Sequence, residues 1–223
     1  MKGINRSCRR GRAALALLAG FLCTSSAAMA ANLYWDGTDG GSYHDPARWL
    51  DSAGNPYGSA PGTWDRIYNT RGGKAIATAD IKPGYFQFAT GELELLSGTM
   101  TPQGNGGGQI ADGAATLTIN GGALSAMGPT GAVSNGSRIN VKAGTWTCTG
   151  GTGPKFVITG IGAPTGSGGA SVHLTGGTID VKAYTFVIGP AEAWSNVRGY
   201  FYFGDAAGSA GAIDFKHLFS GDS

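Results

Sequence analysis

A glycosidic bond is hydrolysed between two carboxylates about 5–9.5 Å apart. The residues of this sequence that could join in such chemistry are Asp112, Asp180, Asp205 and Asp214, with Arg138, Lys142, Lys155 and Lys182 as the cations. They are spread along the chain, and no pair of carboxylates stands out. Solvated faces and turn residues are the expected reading, and no catalytic residue is assigned. His44, His173 and His217 do not fall at metal-ligand spacing, so no zinc site is expected. Asp36-Gly37-Thr38-Asp39-Gly40 lacks the glutamate and spacing of a calcium loop and reads as a turn. GNGGGQ (104–109) lacks the lysine and helix of a phosphate loop. Asn135-Gly136-Ser137 matches a glycosylation sequon, a three-residue pattern that arises easily by chance. Cys148 alternates with Trp146, which predicts a buried small apolar residue rather than a nucleophile. No cofactor is expected.

Tyr34, Trp35, Trp49 and Trp64 remain as residues that could stack on sugar rings if exposed. The competing expectation is that they fill the core of a cap. A carbohydrate-binding role through these aromatics is one functional reading. A polysaccharide-degrading enzyme is a more distant one.

The N-terminus carries export chemistry. Lys2, Arg6, Arg9, Arg10 and Arg12 precede an apolar run from Ala13 to Cys23, and Ala28-Met29-Ala30 ends the segment. This is the order of a signal peptide, and cleavage is expected between Ala30 and Ala31. The apolar run is too short to span a bilayer, and no later stretch is long and apolar enough. Five of the 16 Lys and Arg lie in residues 1–30, leaving 11 against 14 Asp and Glu, a mature net charge of −3. No basic patch then argues for a nucleic-acid partner. Cys148 is the one cysteine outside residues 1–30, so no intramolecular disulfide is expected. An exported protein, extracellular, cell-surface or periplasmic, follows, with a glycan or a cell-surface partner as the expected contact.

The elements that would position any site come from a repeat. Glycine makes up 38 of residues 31–223, far above the usual ~7%, yet β-branched and aromatic residues recur throughout. ELELLSGTMT (92–101), TLTINGGALS (116–125), RINVKAGTWT (138–147) and SVHLTGGTID (171–180) align on Gly98, Gly122, Gly144 and Gly177. The paired apolar positions are Leu93/Leu95, Leu117/Ile119, Ile139/Val141 and Val172/Leu174, followed after the glycine by Met100, Leu124, Trp146 and Ile179. Between each apolar pair sits Glu94, Thr118, Asn140 or His173, a mixed polar ladder. A further short element recurs upstream, in QIADG (109–113), AVSNG (132–136), FVITG (156–160) and FVIGP (186–190).

Three short strands per 22–33 residues predict stacked coils that bury a continuous apolar column. The expected fold is all-β, a right-handed parallel β-helix (β-solenoid), with an antiparallel β-sandwich as the alternative. Residues 31–80, where the repeat is absent and tryptophan and tyrosine concentrate, would form an aromatic-rich N-terminal cap. Residues 81–223 would form the solenoid, whose last part keeps strand character but drifts from the repeat, as the front of a longer solenoid would. The loop 162–170 would project from it. Asn120-Gly121, read alone, is a hairpin signal. Set beside its copies, the conserved feature of the repeat is the corner glycine, so Gly122 rather than Gly121 is expected to be the constrained position.

YWDGTDGGSYHDPARW (34–49) followed by SAPGTWD (59–65), then TLTINGGAL and SVHLTGGTI, resembles secreted bacterial β-helix proteins with autotransporter-type β-strand repeats. Such proteins open with W-x-G…G-x-W…W and a Pro-Gly, then run into L-x-I-x-G-G-x-Φ repeats, Φ being apolar. The resemblance covers residues 33 to about 180. It implies an extracellular or cell-surface parallel β-helix with an adhesive or structural role, and it brings no catalytic residues. No stretch of this sequence resembles the membrane barrel or any other anchor.

Overall fold

A computed structural model describes residues 30–103, 109–110, 115–126, 131–132, 137–148, 155–158, 170–188, 199–204 and 212–220, with side-chain surroundings for 30–103, 115–125, 137–147, 171–180 and 201–204. The strands are β1 (Asn32–Trp35), β2 (Gly41–Ser42), β3 (Trp49–Leu50), β4 (Arg66–Asn69), β5 (Lys74–Ala77), β6 (Tyr85–Phe88), β7 (Glu92–Leu95), β8 (Thr99–Met100) and β9 (Gln109–Ile110). They continue as β10 (Thr116–Ala126), β11 (Gly131–Ala132), β12 (Arg138–Cys148), β13 (Lys155–Ile158), β14 (Ala170–Leu174), β15 (Thr178–Ile188), β16 (Gly199–Phe203) and β17 (Ala212–Ser220). The one helix among the described residues is a 3-10 turn, Pro46–Arg48, capped by the Asp45 carboxylate. The class is all-β.

The strands pair almost entirely in parallel. One sheet runs β3-β1-β4-β6-β9-β11; the other runs β13-β15-β12-β10-β7-β5-β2, with β14, β16, β17 and β8 attached to it. Among the named strands, only β1 and β3 pair antiparallel. That arrangement overturns the antiparallel sandwich. It also answers the hairpin question: β10 does not fold back at Asn120-Gly121. It pairs in parallel with β7 and β8 behind it and with β12 ahead. The bend falls where the register shifts, between Ile119 and Ala123.

The register joins the residues that the repeat aligns. Leu117 lies between Leu93 and Ile139, which in turn pairs with Val172. Ile119 likewise lies between Leu95 and Val141, and Leu174 follows. Beyond the bend, Met100, Leu124, Trp146 and Ile179 pair in succession. All of these are buried. Parallel rungs lie about 4.8 Å apart, so like side chains stack on one another, and each fully buried one contributes ~1.5–3 kcal/mol.

Two features differ from the expectation. Parallel pairing begins before residue 81: β1 pairs with β4, β4 with β6, and β5 with both β2 and β7. The aromatic segment therefore supplies strands to the same sheets rather than sitting apart from them. The short alternations NLYW, RIYN and KAIA hold the pattern, but long loops break the glycine period that makes it visible. The upstream element also pairs one residue away from its alignment: Ile110 meets Ala132, not Val133. Thr116 comes seven positions after Gln109 and Arg138 seven positions after Gly131, so the connection keeps its length and the aligned glycines do not.

Corner glycines sit where rungs approach. A Cβ on Gly144 would lie 2.1 Å from the carbonyl oxygen of Gly122, and φ there is +106°. A Cβ on Gly98 would meet the Ala79 backbone at 2.3 Å, and one on Gly177 would meet Val141 at 2.5 Å. At the second corner the expectation is corrected. Gly121 carries the positive φ, +113°, and its Cβ would lie 2.6 Å from the Leu96 carbonyl oxygen. Gly122 is looser, at 3.1 Å from the Gly98 oxygen. Here the kink falls one residue earlier, beside the register shift at Asn120.

Candidate functional site

The four aromatics proposed for sugar contact are separated by the fold. Alternation in β1 turns Trp35 inward with Leu33. Trp35 meets Trp49 edge-on at 5.3 Å, and Trp49 meets Tyr43 at 5.0 Å. Both indole N–H groups donate internally, Trp35 to the Thr38 carbonyl and Trp49 to the Tyr43 carbonyl. Trp35 and Trp49 are fully buried, so neither has a face for a sugar, and this part of the expectation is corrected. Tyr34 is half-buried and stacks on Tyr68 at 5.1 Å. Trp64 is 55% exposed and has a left-handed backbone, φ +75°. Its carbonyl presses on Gly84, where a Cβ would lie 2.2 Å away.

The polar ladder is a connected surface. Parallel register aligns Lys74, Glu92, Thr116 and Arg138 in one column, and Glu94, Thr118, Asn140 and His173 in the next. The Lys74 ammonium reaches both carboxylates, Glu94 at 3.1 Å and Glu92 at 3.4 Å. Thr118 donates to Glu92, Asn120 donates to Glu94 at 3.0 Å, and Asn140 donates to the Thr118 hydroxyl at 3.3 Å. At the far end His173 stacks on Tyr202 at 4.4 Å. Glu92 and Lys74 were not among the residues singled out from the sequence. The signal for Glu92 was its i, i+2 pairing with Glu94 on one strand face.

Electrostatics decide what this surface can do. Burial opposes ionisation of Glu94, but hydrogen bonds from Asn120 and Lys74 and the charges of Lys74 and Lys142 outweigh it and hold its carboxyl below the usual range. Hydrogen bonding to Glu94, against burial and with the charges of Glu92 and Glu94, holds the Lys74 ammonium above its usual range. A glycosidase acid needs the opposite, a carboxyl kept protonated near neutrality. Burial and the Arg138 charge push His173 down, so its imidazole is neutral at pH 7. It stands three rungs from Glu94, about 14 Å, too far for the two to serve one bond. The ladder holds strands together through charge-assisted hydrogen bonds.

Its pH dependence follows. The Glu94 contribution is present above the unfolded carboxyl pKa and is lost as pH falls through the depressed folded value. The Lys74 contribution is present below the unfolded ammonium pKa and is lost as pH rises through the raised folded value. Lys74→Met is expected to lower the melting temperature at pH 7 by about 1–2 °C. It should also make acid unfolding begin at higher pH, read from melts between pH 3 and 7.

Of the remaining candidates, Asp36 accepts from the Thr38 amide and hydroxyl and pairs with Arg48 at 3.3 Å, a closed turn. His44 packs edge-on against Tyr43. Among the described residues, no group of three or more His, Cys, Asp or Glu is placed to hold a metal ion. Asp112, Asp205, Asn135, Gly136, residues 104–108 and 162–169, and the side chains of Cys148, Lys155, Lys182, Asp214 and His217 lie outside the described residues. No helix among the described residues is long and apolar enough to cross a membrane. Comparison with protein-family models, curated proteins and solved structures found no match to this chain.

Proposed function

We propose that this chain is an exported β-solenoid, a right-handed parallel β-helix, acting as a structural or adhesive module outside the cell or at its surface. The observation that carries the reading is the parallel, in-register joining of each repeat to the next, with like residues stacked in three inner columns. Parallel strand connections are right-handed in nearly all proteins. A ladder in which Lys74, Glu92 and Glu94 are paired with one another suits a rigid scaffold better than a reaction centre. The basic and apolar N-terminal segment supports export, and the resemblance to autotransporter-type repeats supports the surface role.

A second reading, carbohydrate contact, keeps Tyr34 and Trp64. An exposed indole on a strained left-handed backbone is the specific observation in its favour. One experiment addresses both. The chain is expressed in a bacterial host, and the exported product is fractionated and weighed by mass spectrometry. An N-terminus at Ala31 in the medium or on the surface is expected; retention of residues 1–30 inside the cell would refute the export reading. Tryptophan emission of the same material against a glycan panel should stay unchanged under the scaffold reading. A shift that disappears in Trp64→Ala would establish the second.

A further inference from the structure

We infer that Asp65 is the built-in counter-ion of the mature N-terminus, so that removing residues 1–30 adds an ion pair that fastens the first strand. This rests on the export reading above. The Asp65 carboxylate holds the Ala31 amide at 2.8 Å through Oδ1 and the Gly62 amide at 2.7 Å through Oδ2. Ala31 is half-buried and packs on the core, whereas Ala30 is exposed. The Ala31 carbonyl accepts from the Arg66 amide at 2.7 Å, so the residue is held on both sides where β1 begins.

The carboxylate is itself fixed. The Asp65 carbonyl accepts from the Gly84 amide at 2.7 Å, and the preceding Trp64 is the one described non-glycine residue with positive φ. The strained turn brings the carboxylate back toward residue 31. The Asp65 charge also acts on the buried Tyr43: burial first, and that charge second, push the hydroxyl far up. Tyr43 therefore stays neutral. Arg66, the next charged residue on β4, is exposed.

Hydrolysis of the Ala30–Ala31 amide consumes one water. The carboxylate leaves on Ala30, and the Ala31 nitrogen becomes an ammonium. The same nitrogen then meets Asp65 with a full positive charge and three donors in place of one. A charge-assisted bond of this kind is roughly twice as strong as a neutral one. Before cleavage Asp65 caps an ordinary amide; after it, the first rung carries an extra lock.

The test compares three forms, the full chain, a chain starting at Ala28 and a chain starting at Ala31, each as wild type and as Asp65→Asn. The Ala31 form should melt about 2–4 °C above the Ala28 form and the full chain, and Asp65→Asn should erase that gap. Acetylating the Ala31 amine of the wild type should erase it too, which decides the matter even where Asp65→Asn does not fold. Equal melting of the three wild-type forms, or a gap that survives Asp65→Asn, would overturn the inference. Mass spectrometry showing natural cleavage elsewhere would instead remove the export reading's Ala31 terminus, since the melting gap of these forms depends on Asp65 alone.

Discussion

Gly144→Ala is expected to destabilise the protein by about 2–5 kcal/mol, from two additive causes. At φ +106° an L-residue sits in the left-handed region, at ~1–2 kcal/mol. The new Cβ would also lie 2.1 Å from the Gly122 carbonyl oxygen and 3.2 Å from the Ile119 methyl, so one rung must move away from the next. Overpacking of that kind costs ~1–3 kcal/mol. Gly40→Ala separates the causes. Gly40 has φ +72° but nothing within 4 Å of its Cβ, so only the backbone cost of ~1–2 kcal/mol applies. Urea unfolding of the two variants measures the difference. Equal losses would mean that successive corners do not press on each other.

Trp146→Ala is expected to cost ~3–5 kcal/mol, the range for emptying a large aromatic site. Trp146 is fully buried between Leu124 and Ile179 in the column beyond the corner. Its removal opens a void against both neighbouring rungs, and a stacked arrangement has only those neighbours to fill it. Trp64→Ala is the control: with its side chain 55% exposed, that change should stay within about 0.5 kcal/mol apart from any effect on backbone strain. Thermal melts of the two should therefore separate by roughly 10 °C. A Trp146→Ala protein that melts like wild type would place the residue outside the core.

The inner columns were legible because a strand of period 2 and a recurring glycine fix the phase together. Leu93, Leu117, Ile139 and Val172 could be aligned without seeing them paired. The strands of residues 31–80 were not legible as part of the same sheets, since β1, β4 and β5 are four residues each and the loops between them carry no common length. For the same reason Lys74 was not set beside Glu92 and Glu94, although one rung joins them. Composition concentrated the aromatics near the N-terminus but could not divide buried Trp35 and Trp49 from exposed Trp64. The alternation of Leu33 with Trp35 held part of that answer. Nothing local announced that Asp65 would meet Ala31, a contact across 34 residues made by a single strained turn.

The central claim is that successive repeats stack in parallel register, and it is tested most directly by cysteine pairs on β10 and its two rival partners. In the parallel register Thr116 faces Arg138, with Cα atoms about 4.8 Å apart and within disulfide range. In a hairpin turning at Asn120-Gly121, Thr116 would face Ser125 instead. Two variants in a Cys148→Ser background, Thr116→Cys with Arg138→Cys and Thr116→Cys with Ser125→Cys, are oxidised mildly and mapped by mass spectrometry. Rapid intramolecular bonding of the 116/138 pair and none of the 116/125 pair is the predicted result. Bonding of 116/125 with 116/138 left reduced would contradict the stacked-repeat account.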